Sequence, residues 1–148
     1  MISMVGLSVT GCSSAVVVRG AESPTESTSP ELIEEATDFA DWSLPADGKV
    51  LLVRRDRPGD LKYSLAVEMS PTDLVWMLEN SKFVAEFREW TGTSPEETIA
   101  GPPLDTSPHM RRGQDFFQSA EGVSMIRDVL VDERTPELRV VHLEFRGQ

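Results

Sequence analysis

The sequence predicts an α+β fold, a small antiparallel sheet of two hairpins with helices packed on one face. Three observations carry that expectation. Across residues 61–69, apolar Leu61, Tyr63, Leu65, Val67 and Met69 alternate with Lys62, Ser64, Ala66 and Glu68, the period-two pattern of a strand with one buried face. Ser29-Pro30 and Ser70-Pro71 each set a hydroxyl cap before a proline suited to the first helical position. Paired strands with helices between them favour an antiparallel sheet, and 148 residues are too few for a doubly wound cofactor domain plus a substrate domain.

Taken in order, the first helix is expected over about residues 30–41. Glu31, Glu34 and Glu35 complement its positive end, and Leu32, Ile33, Ala36, Phe39 and Ala40 recur at helical spacing. Leu44-Pro45-Ala46-Asp47-Gly48 turns the chain. Residues 49–56 and 61–69 then form the first hairpin around Arg57-Pro58-Gly59-Asp60. A second helix starts at Ser70, with Asp73 completing a variant capping box, and runs to about Asn80 with Leu74, Val75, Met77 and Leu78 available to a core. Residues 82–90 fit helical spacing through Phe83, Phe87 and Trp90 and are read as helix. Residues 91–113 hold four prolines and read as a long irregular loop, a feature often tied to function. Phe116 and Phe117 are expected to re-enter the core. Residues 125–132 and 138–146 form the second hairpin, with Val141, Leu143 and Phe145 on one face and Val140, His142 and Glu144 on the other.

The chain carries 25 acidic and 14 basic residues, a formal charge of −11. Seven acids and no base lie between Glu22 and Asp41, whereas residues 42–148 hold 18 acids against 13 bases. The folded part is therefore mildly acidic, and the excess sits in one short stretch where like charges extend the chain. Such a balance argues against nucleic acid as a partner. One cysteine excludes an intramolecular disulfide framework. Two histidines cannot complete a usual zinc site without carboxylates, so no metal and no cofactor are expected. Neither a nucleophile-elbow motif nor a phosphate-cradling glycine loop is present. Arg outnumbers Lys by 11 to 3, a bias that fits a GC-rich genome and carries no functional weight.

Residues 1–18 carry no charge, and within them stands Val9-Thr10-Gly11-Cys12. This resembles the lipobox of bacterial lipoproteins, a family that the Arg-rich composition would place among GC-rich bacteria. The resemblance implies cleavage before Cys12 and lipidation of Cys12, which anchors the mature chain in the cell membrane on its extracytoplasmic face. Residues 1–11 would then be a signal-like segment continuing a longer precursor. Residues 12–29 would be a disordered Ser/Thr/Pro/Glu-rich tether, and residues 30–148 a single α+β domain.

The domain is expected to act as a binding or interaction module for a protein or envelope partner. The alternatives are a cytosolic acidic interaction or inhibitor-type protein and a small hydrolase with its site at the 91–113 loop. His109, Arg111 and Arg112 are the loop's candidates, with paired guanidiniums suited to a carboxylate or phosphate; solvated loop charges are the plainer expectation. His142 is expected to be a half-exposed strand residue. Trp76 lies about 160° from Leu74 and Leu78 at 100° per residue, so its ring should leave the apolar stripe, either as an exposed anchor for a partner or beneath a covering segment.

Overall fold

A computed structural model of the chain describes residues 24–56, 61–95 and 98–147. Both expected helix starts form as their sequences dictate. In α1 (Pro30–Ala40) the Ser29 Oγ accepts the Leu32 N–H at 3.3 Å. In α2 (Pro71–Asn80) the Ser70 Oγ accepts the Asp73 N–H at 3.1 Å. Each cap satisfies one of the donors that a helix start leaves without an intrahelical partner.

The strands are β1 (Thr25–Ser27), β2 (Lys49–Arg55), β3 (Lys62–Met69), β4 (Arg88–Glu89), β5 (Met110–Gln118), β6 (Ser124–Glu133) and β7 (Arg139–Gly147). They form one sheet in the order β1-β2-β3-β7-β6-β5-β4, with every pairing antiparallel. The two expected hairpins are therefore neighbours in one seven-stranded sheet, joined where β3 pairs with β7 from Lys62↔Arg146 to Met69↔Arg139. Both strands carry an apolar alternating face, and side-by-side pairing buries the two faces together.

Four expectations change. Residues 25–27, expected in the tether, are strand β1, paired with Val53, Arg54 and Arg55 of β2. Residues 82–90 are not a helix: Lys82 has φ 53°, which ends helical propagation, and only Arg88–Glu89 is regular. The long loop stops at residue 109, because Met110–Gln118 pairs with β6 along its whole length. Phe116 is 79% exposed, while Phe117 is partly buried against the core; adjacent strand residues point to opposite faces. The first hairpin's tip and Cys12 lie outside the described residues.

One sheet face carries Val53, Leu65, Val67, Val129, Val131, Val141, Leu143 and Phe145, which form a core with Leu32, Ala36 and Ala40 of α1 and Met77 of α2. Arg127 sits in the same layer and is fully buried. Its Nη1 donates to the carbonyls of Ala40 at 3.3 Å and Ser81 at 2.9 Å, and its Nη2 to that of Lys82 at 3.4 Å. Its Nε and Nη2 also donate to the Asp115 carboxylate, at 3.0 and 2.6 Å. Carbonyls at helix C-termini lack intrahelical donors and carry the negative end of the dipole. One guanidinium thus ties the ends of both helices to β6. The rings of Trp42, Phe83 and Phe117 enclose it, with its Cζ 3.9 Å from the Phe117 centroid, a favourable cation–π arrangement.

Candidate functional site

The opposite face of the sheet is polar at one end and covered by the long loop at the other. Its register runs Ser64↔Glu144↔Asp128↔Gln114 in one row and Leu52↔Ala66↔His142↔Leu130↔Arg112 in the next. Above these rows residues 91–95 and 98–109 cross the sheet. Leu104 is 4% exposed and packs with Met110, Leu130 and Trp90. Arg134 anchors the same segment: its Nη2 donates to the Pro103 carbonyl and its Nη1 to Thr106 Oγ1, each at 2.6 Å. Its Nε reaches Asp132 Oδ2 at 2.5 Å, and Ser107 Oγ donates to Asp132 Oδ1 at 2.5 Å. Asp132 is fully buried; pairing and hydrogen bonding are what make such a carboxylate tolerable there.

Between sheet and loop lies a cavity of about 520 Å³, within the size range of small-molecule sites. Ser64, Asp128, His142 and Glu144 line its floor, and Ser94, Pro95, Thr98 and Ile99 its loop side. Arg54, Lys62 and Arg112 balance Asp56, Asp128 and Glu144 around it, so these six carry no net formal charge. Arg112 grips Asp128 with Nε at 2.9 Å and Nη2 at 2.9 Å, and Gln114 Nε2 adds a third donor at 3.3 Å. Arg112 also stands 4.5 Å over the Trp90 ring. Lys62 bridges Asp56 at 3.8 Å and Glu144 at 3.6 Å. Such paired groups hold fixed dipoles toward a guest without presenting a bare charge.

His142 is the exception to this pairing. It is 5% exposed, and neither Nδ1 nor Nε2 has a hydrogen-bond partner. Burial pushes its pKa down to about 4; the Asp132 carboxylate pulls the other way and Arg134 adds a smaller downward push. Gly101, at φ 94°, lies over the ring: a Cβ added there would sit 3.7 Å from His142 Cε1 and 3.3 Å from Val140 Cγ1. The positive φ favours glycine at this crossing. His142 is therefore a buried neutral imidazole on the cavity floor, not a half-exposed strand residue.

The candidates read from sequence are dispersed. His109 lies outside the cavity, with Nδ1 3.3 Å from Glu133 and Nε2 3.4 Å from Glu89. Arg111 and Arg112 fall on opposite sheet faces and do not form one anion clamp. Arg111 borders a second, apolar groove of about 220 Å³ with Leu74, Val75, Leu78 and Phe87; Arg112 is the one that reaches the cavity. Trp76 is 44% exposed on α2. Cys12 is outside the described residues.

Comparison with protein-family models, curated proteins and solved structures found no match.

Among the described residues, no group of three or more His, Cys, Asp or Glu is placed to hold a metal ion, and no helix is long and apolar enough to cross a membrane. The cavity residues missed from sequence are His142, Asp128, Glu144 and Ser64. A signal did exist for them. Val129-Leu130-Val131 is an unbroken apolar run, which marks a strand covered on both faces, so a second cover had to lie over the side of β6 that bears Leu130.

Proposed function

We propose that this chain is a lipid-anchored cell-envelope protein whose α+β domain is a binding module for a small polar ligand of little net charge. The cavity of about 520 Å³ with three cations and three carboxylates around it carries the reading. Paired charges and hydroxyls suit a guest that offers several hydrogen bonds and no strong charge, since a bare anion or cation would have to displace an internal partner. The helices serve as one-sided cover in this reading, which leaves the other face for the ligand. The Val9-Thr10-Gly11-Cys12 segment supports a lipid anchor on Cys12, with the membrane as one partner and a small envelope molecule as the other. The mildly acidic domain supports no nucleic-acid partner.

Two experiments test the two halves. Labelling with a palmitate analogue should mark the wild-type chain and be lost in Cys12→Ser; an unlabelled chain retaining residues 1–11 would remove the anchor. A screen of sugars, amino acids and small amides by amide chemical shifts should perturb Ser64, Asp128 and Glu144 together. Ser64→Phe, which places a ring into the cavity from its floor, should abolish those shifts. Shifts that persist in Ser64→Phe, or that never arise, would remove the cavity as the site.

A further inference from the structure

His142, on the cavity floor, is a titratable group with neither ring nitrogen hydrogen-bonded, 5% exposed and with Gly101 over its ring. The cost of desolvating a polar group without a partner falls on the closed conformation alone. The residues that follow the segment over the ring are anchored: Leu104 by packing, and Pro103 and Thr106 by Arg134. We propose that residues 98–102 form a roof that opens when His142 takes up a proton, so that the cavity exchanges its ligand more readily in acid. The inference rests on the cavity reading and adds its regulation.

The charged groups around the ring set the direction. On β6 the Asp132 carboxylate favours the protonated ring, and Arg134, just after β6, opposes it. Asp132 is already occupied by Ser107 and Arg134, so it cannot turn to the imidazolium without releasing the loop it holds. Arg112 on β5, Glu68 on β3 and Glu144 on β7 share the same sheet face; Arg112 and Glu144 are engaged with Asp128, Lys62 and Arg146. A charged His142 therefore finds water more cheaply than a protein partner. Closed, the ring titrates near 4; opened, it returns to the ordinary value of 6.5. Proton uptake thus favours the open state as pH falls between those values, and the opening equilibrium rises about 30-fold from about pH 7.5 to about pH 5.

The test places a thiol under the roof. Ala66, fully buried, is the cross-strand neighbour of His142. In a Cys12→Ser chain, Ala66→Cys should react with a dipyridyl disulfide faster than Val141→Cys, whose side chain lies in the helix-side core. Corrected for the free-thiol rate, that reaction should accelerate about 30-fold over the same pH interval, and not in His142→Leu. Equal rates at the two thiols would mean that only global unfolding opens the site, and an acceleration that survives His142→Leu would assign it to another group; either result overturns the proposal. The unmodified chain gives an independent reading: the His142 ring should titrate by NMR well below 6.5, and an ordinary midpoint would show that the ring is not sealed. Labelling is read without ligand. A roof that opens over a cavity binding no fragment would remove the binding reading alone, and fragments bound beneath an acid-insensitive roof would remove this one alone.

Discussion

Arg127 illustrates how one side chain organises a layer. Its five donors meet three helix-end carbonyls and one carboxylate inside a shell of aromatic rings. Removing it leaves Asp115, whose side chain is 12% exposed, and the ends of both helices short of donors. Arg127→Met should therefore cost about 3–5 kcal/mol in urea unfolding with little change in slope. Arg127→Lys should recover little of this, because one ammonium cannot span the fork's partners, whereas Arg127→Met with Asp115→Leu should recover a large part. A single Arg127→Met variant as stable as the parent would refute the assignment. In the sequence Arg127 reads as an ordinary polar residue near a strand start. Its burial follows from Ala40, Ser81 and Asp115 arriving from distant parts of the chain.

The loop that covers the polar face is anchored near its end by Leu104 and Arg134, and that anchoring belongs to the element. Leu104 is the loop's buried apolar contact and sits against Met110 and Leu130. Leu104→Ala should loosen the whole segment, raising labelling of Ala66→Cys at neutral pH by about tenfold or more; unchanged labelling would show that Arg134 alone suffices to hold the roof. The same scale shows why some elements were legible and others not. Both helices announced themselves through Ser-Pro starts whose hydroxyls do cap them, since capping is settled within one turn. β3 and β7 were legible because alternation is local. Residues 82–90 misled because Phe83, Phe87 and Trp90 satisfy a helical period although their rings pack on Trp42, Arg111 and Arg112 across the sheet. Tertiary contact overrode periodicity there. Two-residue β4 and three-residue β1 are too short to show a period at all.

At the scale of the whole molecule, acid should destabilise the fold through two groups of the same sign. His142, held near 4 in the fold and 6.5 when exposed, leaves the unfolded chain binding more protons between those values. Its contribution is intact above 6.5 and falls by about 3 kcal/mol as pH drops toward 4. Glu35, on α1, has its pKa lowered by hydrogen bonds from Arg55 on β2 and Tyr63 on β3, so the stability it lends is present above the ordinary carboxylate range and lost below it. Tyr63, in the same cluster, is pushed up to about 12 by burial and the Glu35 bond. Urea midpoints measured from neutral to about pH 4 should decline, and His142→Leu should remove the part of the decline above the carboxylate range. A parallel decline in both proteins would place the proton uptake elsewhere.

The α+β class in outline, the helix starts, the two central hairpins and the uneven charge are legible in residue order, because each is written in spacing over a few residues, whereas the seven-stranded extent of the sheet is not. The sequence also carries the lipobox-like segment around Cys12, which the described residues do not reach. Which hairpins are neighbours, which arginine of the adjacent pair reaches the cavity, and the burial of His142 under Gly101 emerge from the folded arrangement. Those facts depend on contacts between segments that meet only when β3 closes on β7 and the loop folds over β6. Hydrophobic burial drives that closure without leaving a local mark on the residues it brings together.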